Sequence, residues 1–253
     1  MATISPPPLL GSFISRPPPH GIAYLMVTKA LRRWLASPTP PLLLCSMLSM
    51  SMLLCRLLQS KSPVYIFLAW NLLLAWIPLL ASSAAVRRLR RNRWGLIGVA
   101  LLAVWLTFFP NAPYLLTDFV HLRPRRLVPL WYDIAMLASF AWTGMLLAVT
   151  SLQQVHRLVR ARNNPRAGWL LVGVATTFAG AGVYVGRFLR WNSWDLAMRP
   201  AALVADVSSR FAHPLSNPRA WGVTLVFGAL LFAVYAAWNA RSVPTVSFSD
   251  QPP

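Results

Sequence analysis

The chain has 253 residues, 57% of them apolar or aromatic and only 11% charged, with a mean hydropathy of +0.53. A water-facing domain carries about 25% charged residues, and a chain disordered throughout needs low hydrophobicity; both classes are excluded, and an integral membrane protein remains. The net charge is +19, from 24 Lys and Arg against 5 Asp, with no Glu. The basic residues sit in short clusters between apolar runs, so they read as loops that anchor helices to headgroups and set topology, and nucleic acid is rejected as a partner.

Residues 1–40 hold eight prolines, from Pro6 to Pro40, and Pro41 follows directly. Their apolar patches are too short and too broken for the hydrophobic region of a signal peptide. This stretch reads as an extended, disordered arm, with a short helix near Ile22–Trp34 and Met26 as a second candidate start. Six apolar windows follow, at about 41–58, 63–86, 94–110, 130–152, 167–189 and 220–240. Each approaches the ~20 residues that cross a bilayer. Backbone donors inside a bilayer must be satisfied internally, and the runs do not alternate, so the spans are expected to be helices, not barrel strands. Arg56, near the end of the first span, is expected to snorkel to the interface. Cys45 and Cys55 lie about 15 Å apart on one helix, too far to bridge, and read as small buried hydrophobes. Residues 241–253 read as a disordered tail.

With both termini on one side, the basic residues divide fourteen on that side against ten on the other. The positive-inside rule then puts both ends in the cytoplasm. The fold class is therefore an all-helical six-span bundle, ends inside, with short interfacial helices after spans three and five.

The polar residues gather at three places on the outer side. In Phe108-Phe109-Pro110-Asn111-Ala112-Pro113-Tyr114, two prolines three apart predict a break, with Asn111 capping a new helix. On that helix Tyr114, Asp118 and His121 fall on one face. Trp131-Tyr132-Asp133 opens the fourth span, where Asp133 suits a helix N-terminus. Gly186-Arg187-Phe188-Leu189-Arg190-Trp191-Asn192-Ser193-Trp194-Asp195 ends the fifth, with Gly182 and Gly186 as a small-residue pair for close helix packing. Arg187 and Arg190 suit Asp118, Asp133 or an anionic ligand. If the helix persists, Arg187, Trp191 and Trp194 share a face. Asn71 is the main polar residue inside a span.

These stretches, together with Trp70-Asn71 and Ala75-Trp76-Ile77-Pro78, resemble one bacterial and cyanobacterial multi-pass membrane family known only as a domain of unknown function. The resemblance covers roughly residues 45–240 and leaves the proline-rich arm outside. It implies a membrane fold and brings no established activity, substrate or cofactor.

An even number of crossings separates the three clusters. Asn71, Asn111, Tyr114, Asp118, His121, Asp133, Arg187, Arg190, Asn192 and Asp195 are therefore expected to converge at one rim. The favoured function is a binding or assembly protein whose outer polar site holds an anionic lipid headgroup or another membrane protein. An intramembrane enzyme on a lipid-linked substrate is the alternative, with Asp118 and His121 as candidate metal ligands. Metalloprotease, cysteine-pair and nucleophile-elbow motifs are missing. A transporter or channel comes third, because the span centres hold almost no ionisable groups and no inverted repeat is visible. No glycine-rich phosphate loop is present, so no cofactor is expected. His20, His156 and His213 read as solvated, Asp206 as a surface residue of an amphipathic helix with Leu203, Val207 and Phe211, and Asp250 as part of a polar tail.

Overall fold

The computed structural model describes residues 38–91, 95–125 and 127–241. The proline-rich arm, the expected helix at Ile22–Trp34, His20, Arg93, Arg126, Asp250 and the tail beyond Arg241 lie outside the described residues. Among the described residues the secondary structure is helical, apart from one isolated bridge between Arg125 and Val128. Six helical stretches are long and apolar enough to cross a membrane. This is a multi-pass membrane protein.

Helix α1 (Thr39–Ser60) buries Leu42, Ser46, Ser49, Leu53 and Arg56. Those positions recur every three or four residues and form one seam on an otherwise lipid-facing helix. Its hydroxyls are satisfied where no water is at hand: Ser46, Ser49 and Ser51 donate to carbonyls one turn back at 2.8–3.0 Å. Cys45 is half-buried, whereas Cys55 is exposed, which corrects its reading as a buried hydrophobe.

Helix α2 (Phe67–Arg91) runs through Pro78 without ending and packs along Leu68, Leu72, Ala75, Leu79 and Ser82. Helix α3 (Leu96–Phe108) is followed by Phe109 and Pro110, both still in helical conformation, then α4 (Asn111–Tyr114) and a 3-10 segment (Leu115–His121). The two prolines therefore do not break the chain. They tighten it, because each proline lacks an N–H and shorter bonds such as Phe109 N–H to the Leu106 carbonyl (3.3 Å) take over.

Helix α5 (Leu130–Arg162) is the central column. Of its apolar window 61% is buried, against 28% in the first and last spans. Its 33 residues run about 50 Å, well beyond the ~30 Å of hydrocarbon. Arg157, Arg160 and Arg162, expected in a loop, thus ride on the end of a helix, and only Asn163 and Asn164 separate it from α6 (Pro165–Arg187). There Asn164 caps the new helix through the Ala167 N–H at 2.7 Å, with Pro165 in the first turn. His156, expected to be solvated, is 1% exposed and sits 2.6 Å from the Tyr235 hydroxyl, walled by Trp169. His213 is exposed, as read.

After α6 come α7 (Asp195–Met198), α8 (Pro200–Phe211) and α9 (Pro218–Arg241). Helices α6 and α9 lie so close that a methyl on Gly180 would strike the Thr224 carbonyl, while one on Gly182 would strike Pro110. Close packing by small residues thus seats α6 against α9 on one side and against the start of α4 on the other.

Contacts show which ends of the helices lie together. At one end Arg56 pairs with Asp133, Arg187 with Asp118, and the Tyr65 hydroxyl donates to the His121 carbonyl at 3.3 Å. At the other, Arg162 donates to the Leu89 carbonyl, and Ser82 and Ser83 both donate to the Gln154 amide oxygen at 2.9 Å.

Candidate functional site

Arg187 is the last residue of α6, and its side chain reaches across to the 3-10 segment. Its guanidinium pairs with Asp118, donates to Thr117 Oγ1 at 3.0 and 2.7 Å, and donates to His121 Nε2 at 3.0 Å. A guanidinium only donates, so His121 Nε2 accepts and the neutral ring carries its proton on Nδ1. The Arg187 carbon stands 4.4 Å from the centre of the Tyr114 ring. Asn71 Nδ2 donates to the second Asp118 oxygen at 3.1 Å. Asp118 is 1% exposed and the Arg187 side chain 15%, so the pair is nearly dry. Asn71, Tyr114, Asp118, His121 and Arg187 therefore form one network.

The register of this network differs from the expected one. The segment is a 3-10 helix with three residues per turn. Asp118 and His121 share a face at i, i+3, and Thr117 lies at the edge that meets Arg187. Leu115 is completely buried. Thr117 carries no charge and was passed over, although at i+3 from Tyr114 it borders the same stripe on an α-helix as well.

As metal ligands Asp118 and His121 are already engaged: the guanidinium stands where a shared cation would have to sit. Among the described residues no group of three or more His, Cys, Asp or Glu could hold a metal ion.

Asp133 stands apart from this network. It is fully buried and takes Arg56 in a two-pronged pair, Nε to Oδ1 at 2.5 Å and Nη2 to Oδ2 at 3.2 Å. Arg56 is 2% exposed and does not snorkel, and Asp133 does more than complement a helix dipole. Tyr65 seals this pair, with Arg56 and Arg125 each 5.5 Å from its ring centre. Burial, followed by the Asp133 charge, pushes the Tyr65 phenol up. Its hydroxyl is the link to the first network, through the His121 carbonyl. The signal for Arg56 was legible, since a charge inside a span is a functional or structural site by default.

The loop after α6 does not continue the helix, so Arg187, Trp191 and Trp194 do not form a helical stripe. Arg190 adopts the left-handed conformation (φ 60°) normally left to glycine, and the turn brings the Trp191 N–H 3.3 Å from the Val185 carbonyl. Arg190 is exposed, and its side chain makes no hydrogen bond or ion pair among the described residues. Asn192 donates its N–H to Asp195 at 2.8 Å, and that bond holds the Asp195 carboxyl below the usual carboxylate range. Asp195 then pairs with Arg199 at 3.4 Å. Asn111 does not cap the helix that follows it. It donates back to the Phe108 carbonyl at 3.0 Å and across to Ser193 Oγ at 2.8 Å, tying the third span to this loop. Asp206 is half-buried rather than plainly on the surface, because it accepts from Trp191 Nε1 at 2.9 Å.

Between these parts lies a cavity of about 420 Å³. Asn71, Asn111, Tyr114, Asn192 and Ser193 give it a polar side near the loop. Leu74, Phe178, Val185, Leu203 and Val204 give it apolar walls. A family model described as a protein of unknown function, DUF1361, matches residues 70–234. The chain belongs to the DUF1361 family. The DUF1361 region begins at Trp70, one residue before Asn71, and ends within α9, so it takes in the whole cavity lining and the Arg187 network but leaves Arg56 and Tyr65 outside. Neither the curated proteins nor the solved structures gave a match to this DUF1361 chain.

Proposed function

We propose that this DUF1361 protein is a membrane-embedded binding protein whose cavity takes the headgroup of an anionic, hydroxyl-bearing lipid. The observation that carries this reading is the division of the cavity into a hydrogen-bonding mouth and an apolar depth. Arg187, the cation first read as the anion's partner, is neutralised by Asp118. The mouth therefore recognises by neutral groups. Asn111 spends both amide hydrogens on Phe108 and Ser193, leaving its carbonyl oxygen to accept. Ser193 keeps its own hydroxyl hydrogen, and among the described residues the Tyr114 hydroxyl makes no hydrogen bond. Such a wall suits a head that both donates and accepts, as a glycerol or sugar phosphate does. Arg190, exposed beside the Trp191–Ser193 loop and without a carboxylate partner among the described residues, supplies the attraction for a negative head. The positive-inside bias puts this rim on the outer face of a bacterial inner membrane.

Delipidated full-length protein, titrated with phosphatidylglycerol and with phosphatidylcholine and read by native mass spectrometry, tests the reading. Phosphatidylglycerol is expected to bind at one site. Tyr114→Phe keeps the ring under Arg187 and removes one donor to a charged acceptor, about 1.5–3 kcal/mol, so affinity should fall about tenfold or more. Equal binding of both lipids, or a Tyr114→Phe protein that binds like wild type, overturns it.

A further inference from the structure

A second hollow, an open groove of about 650 Å³, lies between α6 and α9 on the apolar outer surface. Two residues, Phe178 and Ala181, line both the groove and the headgroup cavity. Phe178 is 43% exposed, and its ring is the one bulky side chain common to both hollows. Beyond it the groove runs down α6 past Val174 and Gly173 to Trp169. Nothing lies within 4 Å of where a side chain on Gly173 would begin.

The groove offers no spare hydroxyl to a polar occupant. Thr177 donates to the Gly173 carbonyl at 2.9 Å, and Thr224 donates to the Ala220 carbonyl at 2.7 Å. Its remaining walls are apolar or aromatic, and its upper end is closed by Phe211, the last residue of α8, against Trp221. The Trp221 indole N–H is buried there without a partner among the described residues. Helix α8 itself puts Leu203 and Val207 over the cavity, so one amphipathic helix covers both hollows. From Gly186 at the cavity to Trp169 at the far end of the groove is seventeen residues of one helix, about 25 Å. That is most of the ~30 Å hydrocarbon thickness.

Resting on the headgroup reading above, we infer that the bound lipid keeps one acyl chain in the α6–α9 groove, and that it reaches the cavity sideways from the bilayer, beneath α8 and past Phe178. The polar head then lies against Asn111 and Ser193, the chain crosses the partition at Phe178 and Ala181, and its end lies near Gly173. Apart from the Trp221 indole N–H, the groove's hydroxyls already donate within the protein, so a hydrocarbon chain lying there takes no further donor from its partner. A head bound through the open rim alone would leave this groove and its shared wall without a role.

The test uses the full chain in vesicles with phosphatidylglycerol that carries a diazirine at the end of one acyl chain, followed by mass-spectrometric mapping. Label is expected to concentrate on Leu170–Val174 over the plain lipid-facing residues Leu44 and Leu48 of α1. Gly173→Leu fills the groove at a site with open space and favours the helix; it should lower chain-end label in α6 at least fivefold and weaken phosphatidylglycerol binding. Phe178→Trp, which thickens the partition, should do the same with unchanged thermal unfolding. Label spread evenly over α1 and α6, or Gly173→Leu protein that binds phosphatidylglycerol as wild type does, overturns the inference while leaving the headgroup reading standing. Wild-type protein that binds no phosphatidylglycerol removes both.

Discussion

Among the described residues two buried arginine–aspartate pairs lie at the same end of the helices, in different surroundings. Arg56–Asp133 is shut in on all sides, with side chains 3% and 1% exposed and Tyr65 as its cover. Arg187–Asp118 has equally dry chemistry on the carboxylate side, but the arginine is 15% exposed and the Tyr114 ring beneath it lines a cavity. The first pair ties α1 to α5 and offers nothing to a ligand. The second ties α6 to the 3-10 segment and also shapes a binding wall. Two charges taken from water recover their desolvation only through good geometry. Identical pairing chemistry therefore says little about role, and the neighbouring empty space decides it.

This difference can be broken by mutation. Arg56→Leu leaves the Asp133 carboxylate buried and alone, and should destabilise the protein by about 3–5 kcal/mol, seen as a large drop in thermal midpoint in detergent. Asp133→Leu added to it should recover much of the loss, because a buried pair exchanged for apolar groups is close to neutral. Arg187→Gln should destabilise by a smaller amount, about 2 kcal/mol, since the partly exposed site admits water, and it should disturb lipid binding where the Arg56 and Asp133 double variant does not. If the double variant loses phosphatidylglycerol binding as strongly as Arg187→Gln does, the division between clamp and site fails.

Arg190→Gly sharpens the comparison from the opposite direction. Its left-handed backbone costs about 1–2 kcal/mol in a residue with a side chain, so the glycine variant should be more stable and bind anionic lipid more weakly. A variant that gains stability and loses no affinity would show that Arg190 has no part at the mouth. The smallest effect concerns pH. The Asn192 N–H holds the Asp195 carboxyl below its ordinary range, so Asp195 stabilises the fold above that range and loses its contribution as pH falls through the lowered folded value. The stability difference between wild type and Asp195→Asn should be flat above about pH 5 and shrink in acid, as thermal unfolding at a series of pH values would show.

The spans were legible because apolar windows near twenty residues leave the chain few other states. Parity of crossings predicted one rim for the three polar stretches, but it could not say which of them share a site: Asn111 meets Ser193, whereas Asp133 stands apart with Arg56. What the sequence could not supply was pairing. Two aspartates and several arginines fall at the same depth, and only the rotation of α1 against α5 and of α6 against the 3-10 segment decides that Asp133 takes Arg56 and Asp118 takes Arg187. The 3-10 turn was hidden because the hydrogen bonds tighten through prolines at 110 and 113 without any break in direction. His156 was misread for a simpler reason. The basic residues around it suggested a loop, yet α5 outlasts its apolar window by three turns and carries His156 into contact with Tyr235.

The claim that the cavity is a lipid headgroup site is tested most directly by what the protein carries from its own membrane. Full-length protein extracted in mild detergent, with no lipid added, is weighed by native mass spectrometry, and any retained molecule is fragmented. The account predicts one anionic, hydroxyl-bearing lipid per chain, lost in Tyr114→Phe and kept in the Arg56→Leu/Asp133→Leu protein. A bare chain, or one whose retained lipid survives Tyr114→Phe unchanged, would contradict it.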